Sequence, residues 1–208
     1  MRIKYPRTPH LVWSGHVTDD DIISDNLNIF DNEIVMTEKM DGENTTIYKD
    51  GLHARSIDGR SHWTQDWVRA LQSTIAMDIP DNFRLCGENV FAKHSIGYKN
   101  LESFFYLFSI WENDTCLSWG ETEEWAKLLN LVTVPVIFRG KWEDKPELIH
   151  RLWIKDETKH EGYVIRNANS FSYSEFKNNT GKYVRNNHVT SSTHWKLDQI
   201  EKNEIIHN

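Results

Sequence analysis

Apolar positions along the chain fall into short runs and one clear helical stripe. Ile34-Val-Met36 lies within Glu33 to Lys39, a run that predicts a strand leading into an Asp-Gly turn. Asn44 to Lys49, the turn Asp50-Gly51 and Leu52 to Ser56 then predict a hairpin, because Asp-Gly suits the tight turn between paired strands. Trp67, Leu71 and Ile75 recur at helical spacing and predict a helix from about Thr64 to Ala76. Phe83 to Val90 and Ser103 to Trp111 are rich enough in aromatic and branched residues for buried strands. Glu121 to Leu131 and Pro146 to Lys155 predict helices, the second opening on a proline suited to a first turn. Gly162 to Arg166 and Gly181 to Arg185 complete the set as short strands. Hairpins dominate and regular βαβ alternation is missing, so the pattern predicts an α+β fold with mainly antiparallel sheets flanked by helices.

Composition narrows this picture. The 208 residues are 38% hydrophobic and show no linker, repeat or low-complexity tract, which predicts a single domain over 1–208. Most of the nine tryptophans are expected in the core, with a few left as exposed stacking surfaces. The start Met-Arg-Ile-Lys-Tyr-Pro lacks the apolar segment of a signal peptide, and no apolar run reaches membrane-spanning length. Cys86 and Cys116 are too few for a disulfide framework or a metal cage, so a cytoplasmic protein is expected. A net charge of −7 argues against coating nucleic acid by overall basicity, but not against a few cations gathered in one cleft.

Five segments place reactive or phosphate-binding side chains beside strands. In Lys39-Met-Asp41-Gly42 the amine is a potential nucleophile, the acid can fix the turn or contact a ribose, and the glycine permits close backbone approach or positive φ. The pattern Lys-x-Asp-Gly alone arises by chance in roughly one chain in twenty of this length, so its company decides its meaning. A lysine is neutral only about once in two thousand at neutral pH, and a neighbouring carboxylate such as Asp41 favours the charged form. The nucleophile therefore calls for burial or other cations. Arg55, in His53-Ala-Arg-Ser56, would share a cleft with Lys39 if their strands are neighbours, and its guanidinium suits phosphate. Glu88, in Cys86-Gly-Glu-Asn89, can accept ribose hydroxyls. Phe104-Phe-Tyr-Leu-Phe108 reads first as core and second as a surface for stacking a base. Glu161-Gly-Tyr-Val164 and Gly181-Lys-Tyr-Val-Arg185 supply a further acid and further cations. Singly, each also reads as an ordinary charged residue at a strand end.

In order, Lys-x-Asp-Gly, Arg-Ser, Gly-Glu, an aromatic strand, Glu-Gly-x-Val and a lysine-bearing strand resemble the motif series of covalent nucleotidyltransferases. The series is most similar to that of the ATP-dependent RNA ligases, the smaller bacteriophage and bacterial type, and spans Glu38 to Arg185, about seven-tenths of the chain. The resemblance implies a nucleotidyltransferase (ATP-grasp-like ligase adenylation) domain that uses ATP with Mg²⁺ or Mn²⁺. Its implied partners are RNA 5′-phosphate and 3′-hydroxyl ends, and it would act as a monomer. Lys39 would carry AMP, Glu38 would help read the adenine, and Asp41 would stand at the nucleotide. Arg55 would contact phosphate, Glu88 would bind the ribose and Phe108 would stack on the base. Glu161 would hold the metal. Lys182 would contact the α-phosphate and lower the pKa of Lys39.

Two departures qualify the match. Ser109 follows Phe108 where relatives often have aspartate, which leaves Tyr106 as an alternative stacking residue. The last motif is Lys-Tyr-Val-Arg rather than Lys-x-Lys, which leaves Arg185 open. DNA ligases and RNA guanylyltransferases share the series but normally add an OB-fold domain, and only about 23 residues follow Arg185. An RNA-end-binding module that has lost chemistry is the non-enzymatic alternative. His188 and His194 are candidate RNA contacts, and Lys4, Arg7, Arg60 and Lys93 are candidate phosphate contacts.

Overall fold

The computed structural model describes residues 1–24, 27–59, 61–154, 159–186 and 200–206. Its strands are β1 (His10–Leu11), β2 (Ile23–Ser24), β3 (Glu33–Lys39), β4 (Glu43–Tyr48), β5 (Gly51–Ala54), β6 (Phe83–Asn89), β7 (Phe105–Glu112), β8 (Thr115–Cys116), β9 (Val132–Thr133), β10 (Val136–Lys141), β11 (Gly162–Asn167), β12 (Phe171–Ser172) and β13 (Thr180–Val184). The helices are α1 (Asp66–Ile75), α2 (Trp119–Leu128) and α3 (Phe176–Asn179). The strands form two sheets. One runs β10-β3-β11-β13-β1-β2; the other runs β12-β8-β7-β6-β4-β5, with β9 added beside β7. Pairing is antiparallel except for β1 with β13, β1 with β2, and β7 with β9.

The two sheets are joined directly at the motif that anchors the sequence argument. Strand β3 ends at Lys39 in the first sheet and β4 starts at Glu43 in the second, so Met40, Asp41 and Gly42 carry the chain across. Gly42 is required there by contact rather than by backbone angle. A Cβ at this position would lie 2.5 Å from the Asn89 carbonyl oxygen, and its φ is not positive.

Separate apolar clusters build the faces of the sheets. Ile47, Leu85, Phe105, Leu107 and Ile110 pack beneath α1 and α2 on the outer face of the second sheet. Ile34, Met36, Tyr163 and Ile165 do the same on the first sheet, with Leu11, Ile149 and Trp153. Val35, Met40, Tyr106 and Trp119 fill the space where the sheets meet. Fewer tryptophans are fully inside than expected: Trp111, Trp119 and Trp153 are buried, Trp13, Trp67, Trp125 and Trp142 are partly buried, Trp63 is exposed and Trp195 lies outside the described residues.

Most elements fall where the pattern predicts, with informative exceptions. Helix α2 begins at Trp119 because Ser118 and Glu121 form a capping box, so Glu121 sits on the third helical residue rather than at the start. The segment Pro146–Leu152 is a 3₁₀ helix, not an α-helix. Ile149 is its sole buried residue, so no apolar stripe favours a longer helix. Lys155, the end of that prediction, lies outside the described residues. No helix among the described residues is long and apolar enough to cross a membrane.

Candidate active site

The inner faces of the two sheets enclose a cleft of about 640 Å³, within the size range of small-ligand sites. Glu38, Lys39, Arg55, Glu88, Phe108 and Lys182 all line it. Lys39 and Arg55 are not on neighbouring strands, however. Lys39 ends β3 in one sheet and Arg55 follows β5 in the other, so they face the cleft from opposite walls.

Lys39 does not stand alone. Its Nζ donates to Glu161 Oε1 at 2.6 Å. The pair forms because β3 and β11 align Lys39 with Gly162, leaving Glu161 just beyond the last rung. Gly162 makes this registry possible, since a Cβ there would meet the Tyr183 carbonyl oxygen of β13 at 1.9 Å. Burial alone would depress the Lys39 pKa, but the carboxylates of Glu161, Glu88 and Asp41 outweigh it and raise it. Any lowering of the Lys39 pKa by the like charge of Lys182 is outweighed by these acids, which favour the protonated amine. The depressed amine is Lys182, through burial and then the like charge of Lys39, opposed by Asp21 and Glu161.

Asp41 lies behind the wall rather than on it. Its Oδ2 accepts from the backbone N–H groups of Ser95 and Ile96, each at 2.8 Å, and its own N–H donates to the Tyr98 hydroxyl at 2.8 Å. It thus fixes the sheet crossing against the 95–98 loop, the turn-fixing alternative of the two offered by the sequence. Glu38 lines the cleft and its Oε1 lies 2.9 Å from His160 Nδ1. Burial raises the Glu88 pKa to about 8, against the pull of Lys39 and with help from Glu161 and Asp41.

Phe108 and Tyr106 lie on the same face of β7, but of the two Phe108 is the one that reaches the cleft. Cys86 pairs with Ser109 and Gly87 with Leu107, so Phe108 is the extra residue of β7 and both Phe108 and Ser109 face the cleft. Phe108 is braced edge-on by Tyr5, with ring centroids 5.1 Å apart. Tyr106 is buried in the core, and its hydroxyl accepts from the Glu102 N–H at 3.1 Å.

The other cations divide. Arg7 lines the cleft, while Lys93 pairs with Glu201 at the surface. Arg185 Nε donates to the His160 carbonyl at 2.9 Å, which ties down the segment carrying Glu161 instead of reaching the cleft. Arg60, His188 and His194 lie outside the described residues. Sequence reasoning missed Asn44, which lines the cleft and buries a carboxamide oxygen with no hydrogen-bond partner among the described residues. Its place two residues past Gly42, at the mouth of β4, was the available signal. His10 and Asp21, packed beside Lys182, carried none.

Divalent-metal binding would rest on single carboxylates here, of which Glu161 is the one hydrogen-bonded to Lys39. Glu161 presents a carboxylate beside Lys39, but no group of three or more His, Cys, Asp or Glu residues among the described residues forms a metal cage. That donor set suits an ion that takes most of its ligands from phosphate and water, as Mg²⁺ does.

Two antiparallel sheets joined through a lysine-bearing crossing, with a nucleotide-sized cleft between them, define a nucleotidyltransferase-type domain. The RNA ligase family model matches residues 32–184, and the chain belongs to that family. Among solved structures, a Naegleria gruberi RNA ligase with ATP and Mn is similar at a TM-score of 0.58 and 19% identity, over 88% of this chain and 60% of that one. An Aquifex aeolicus protein assigned as an ATP-dependent DNA ligase is similar at 0.57 and 20% identity, over 88% of this chain and 50% of that one. At these identities the likeness is one of fold, and the chain spans about three-fifths and one-half of those proteins' lengths. No curated protein matches the sequence.

Proposed function

We propose that this chain is an ATP-dependent RNA ligase whose adenylylating domain comprises residues 1–208 and acts as a monomer. The observation that carries the reading is Lys39 on the cleft wall, paired with Glu161 behind it and accompanied by Lys182 on the same cleft. A binding module has no use for a nucleophile so placed.

ATP enters with its base against Phe108 and its ribose toward Glu88. Glu38 is positioned by His160 to read the base edge, and Arg55 receives phosphate. Lys39 gives up its proton to solvent, to which its side chain is 25% exposed, and its neutral amine attacks the α-phosphorus. The P–N bond forms as the P–O bond to pyrophosphate breaks, leaving AMP on the lysine. Lys182, as a cation, offsets the charge gathering on the α-phosphoryl oxygens. Glu161 would hold the divalent ion, Mg²⁺ or Mn²⁺, whose charge would both spread over those oxygens and counter the carboxylate that keeps Lys39 protonated. AMP then passes to an RNA 5′-phosphate, and a 3′-hydroxyl attacks that phosphate to form the phosphodiester and release AMP.

The test uses α-labelled ATP: the wild type should form a labelled protein band that Lys39→Ala abolishes. Undiminished labelling of the variant would sink the assignment. The likeness to the Aquifex protein favours one second reading, a DNA-joining enzyme. Parallel assays on nicked RNA and nicked DNA separate the two, and the present reading requires faster sealing of RNA.

A further inference from the structure

Lys182 has a partner on the far side from the cleft that lies outside the motif series. Strand β1, which lies between β13 and β2, pairs with β13 so that His10 stands opposite Lys182. The loop after β1 then brings Asp21 between them. The two oxygens of Asp21 divide their work. Oδ2 accepts from the Thr18 N–H at 3.1 Å and the Thr18 hydroxyl at 2.8 Å. Oδ1 is left to face His10 Nε2 at 3.3 Å and Lys182 Nζ at 3.8 Å.

His10 is 2% exposed, and its pKa is pushed down to about 4, chiefly by burial and then by Lys182. It is therefore neutral near pH 7, and the tautomer follows from its neighbours. A carboxylate only accepts, so Nε2 carries the proton toward Asp21, and Nδ1 accepts from the Ser14 hydroxyl at 2.9 Å. Ser14 Oγ in turn accepts from the Val184 N–H at 3.0 Å, which ties the network back to β13. Each member is fixed by the next, and the chain ends at the one lysine that the catalytic reading places on the α-phosphate.

We propose that Asp21, held by Thr18 and His10, is a positioning residue that fixes the ammonium of Lys182 at the cleft wall for the adenylylation step. This rests on the RNA ligase reading. The carboxylate touches no substrate. It acts by opposing the repulsion of Lys39 and by restricting the rotamers of a long side chain in a half-buried setting.

The experiment measures lysyl-AMP formation in single turnover across a range of ATP concentrations, for wild type, Asp21→Asn, Asp21→Glu and Thr18→Val, with melting curves for each. Asp21→Asn should lower the rate constant at saturating ATP about tenfold or more while shifting the half-saturating ATP concentration less than about threefold. Asp21→Glu, which keeps the charge, should recover part of the loss. Thr18→Val alters an exposed residue and should slow the step about threefold without loss of fold; it decides the matter if Asp21→Asn does not fold. A wild-type rate constant in folded Asp21→Asn, or in Thr18→Val where that variant decides, overturns the proposal and leaves the ligase reading standing. A loss confined to ATP affinity also overturns it. Absence of any adduct on the wild type would instead sink the ligase reading, and this proposal with it.

Discussion

Replacing Glu161 by glutamine should unlock Lys39 in the ligand-free protein. The 2.6 Å hydrogen bond between them joins a side chain 25% exposed to one 9% exposed, so solvent screening is weak. At an effective dielectric of 20 the bare attraction is about 6 kcal/mol, an upper figure because both groups are already partly desolvated. Hydrogen bonds to charged groups contribute about 1.5–3 kcal/mol net, which corresponds to roughly ten- to a hundredfold in the lysine's proton affinity. Asp41 and the partly ionised Glu88 remain to favour the charged amine, so the lower part of that range is expected. Glutamine has nearly the same shape, and access to the amine is unchanged. The assay is competitive acylation near pH 8 followed by peptide mass spectrometry, with exposed Lys141 as the internal standard. Lys39 should label about tenfold faster, relative to Lys141, in the variant. Equal labelling in the two proteins would refute the view that Glu161 holds the proton on Lys39.

Gly162→Ala forces a methyl group against the Tyr183 carbonyl at 1.9 Å, and since both atoms are backbone or nearly so, β11 must part from β13. The expected cost is about 3 kcal/mol, or a fall in melting temperature of roughly 6 °C or more in a calorimetric scan. Phe108→Ala should weaken ATP binding about tenfold by calorimetric titration, whereas Tyr106→Phe should leave it within about twofold because that ring lies in the core. Glu88 has a folded pKa of about 8, above its ordinary 4.5, so its contribution to stability is complete below pH 4.5 and is lost as pH rises through about 8. Glu88→Gln should therefore melt higher than wild type at pH 8.5, the gap closing toward pH 5, while binding ATP less tightly. A gap that widens toward acid would contradict the sign of this linkage.

The parts of the fold legible in the sequence are those with enough residues to show a period. Strands β3, β6, β7 and β11 announce themselves by apolar runs, β4 and β5 by the Asp50-Gly51 turn between them, and α1 by Trp67, Leu71 and Ile75. Two-residue strands such as β1, β2, β8, β9 and β12 have no period to read. Strand β10 is an edge with mostly half-exposed positions, and Gly140 takes a φ of +144° within it, so neither alternation nor propensity marks it.

The site divides along similar lines. Lys39, Arg55, Glu88, Phe108 and Lys182 were legible because each stands next to a strand run and because their order is informative. Their electrostatics were not. Whether a lysine is activated or locked depends on which acid lies within hydrogen-bond reach, and Glu161 is 122 residues away in sequence. The same holds for Asp21, which reaches Lys182 only because the two-residue strand β1 brings the N-terminal segment alongside β13. The bulge that turns Ser109 to the face of Phe108 leaves no local signature, and alternation, which puts Tyr106 and Phe108 on one side, does not show that Tyr106 stays in the core while Phe108 lines the cleft.

The central claim is that Lys39 forms a covalent bond to AMP, and the most direct measurement is intact mass of the purified protein after incubation with ATP and Mg²⁺. The account predicts a species heavier by one adenylate, mapped by peptide sequencing to Lys39, absent in Lys39→Ala and reversed by pyrophosphate. An unmodified mass under these conditions, or an adduct on another residue that survives Lys39→Ala, would contradict it.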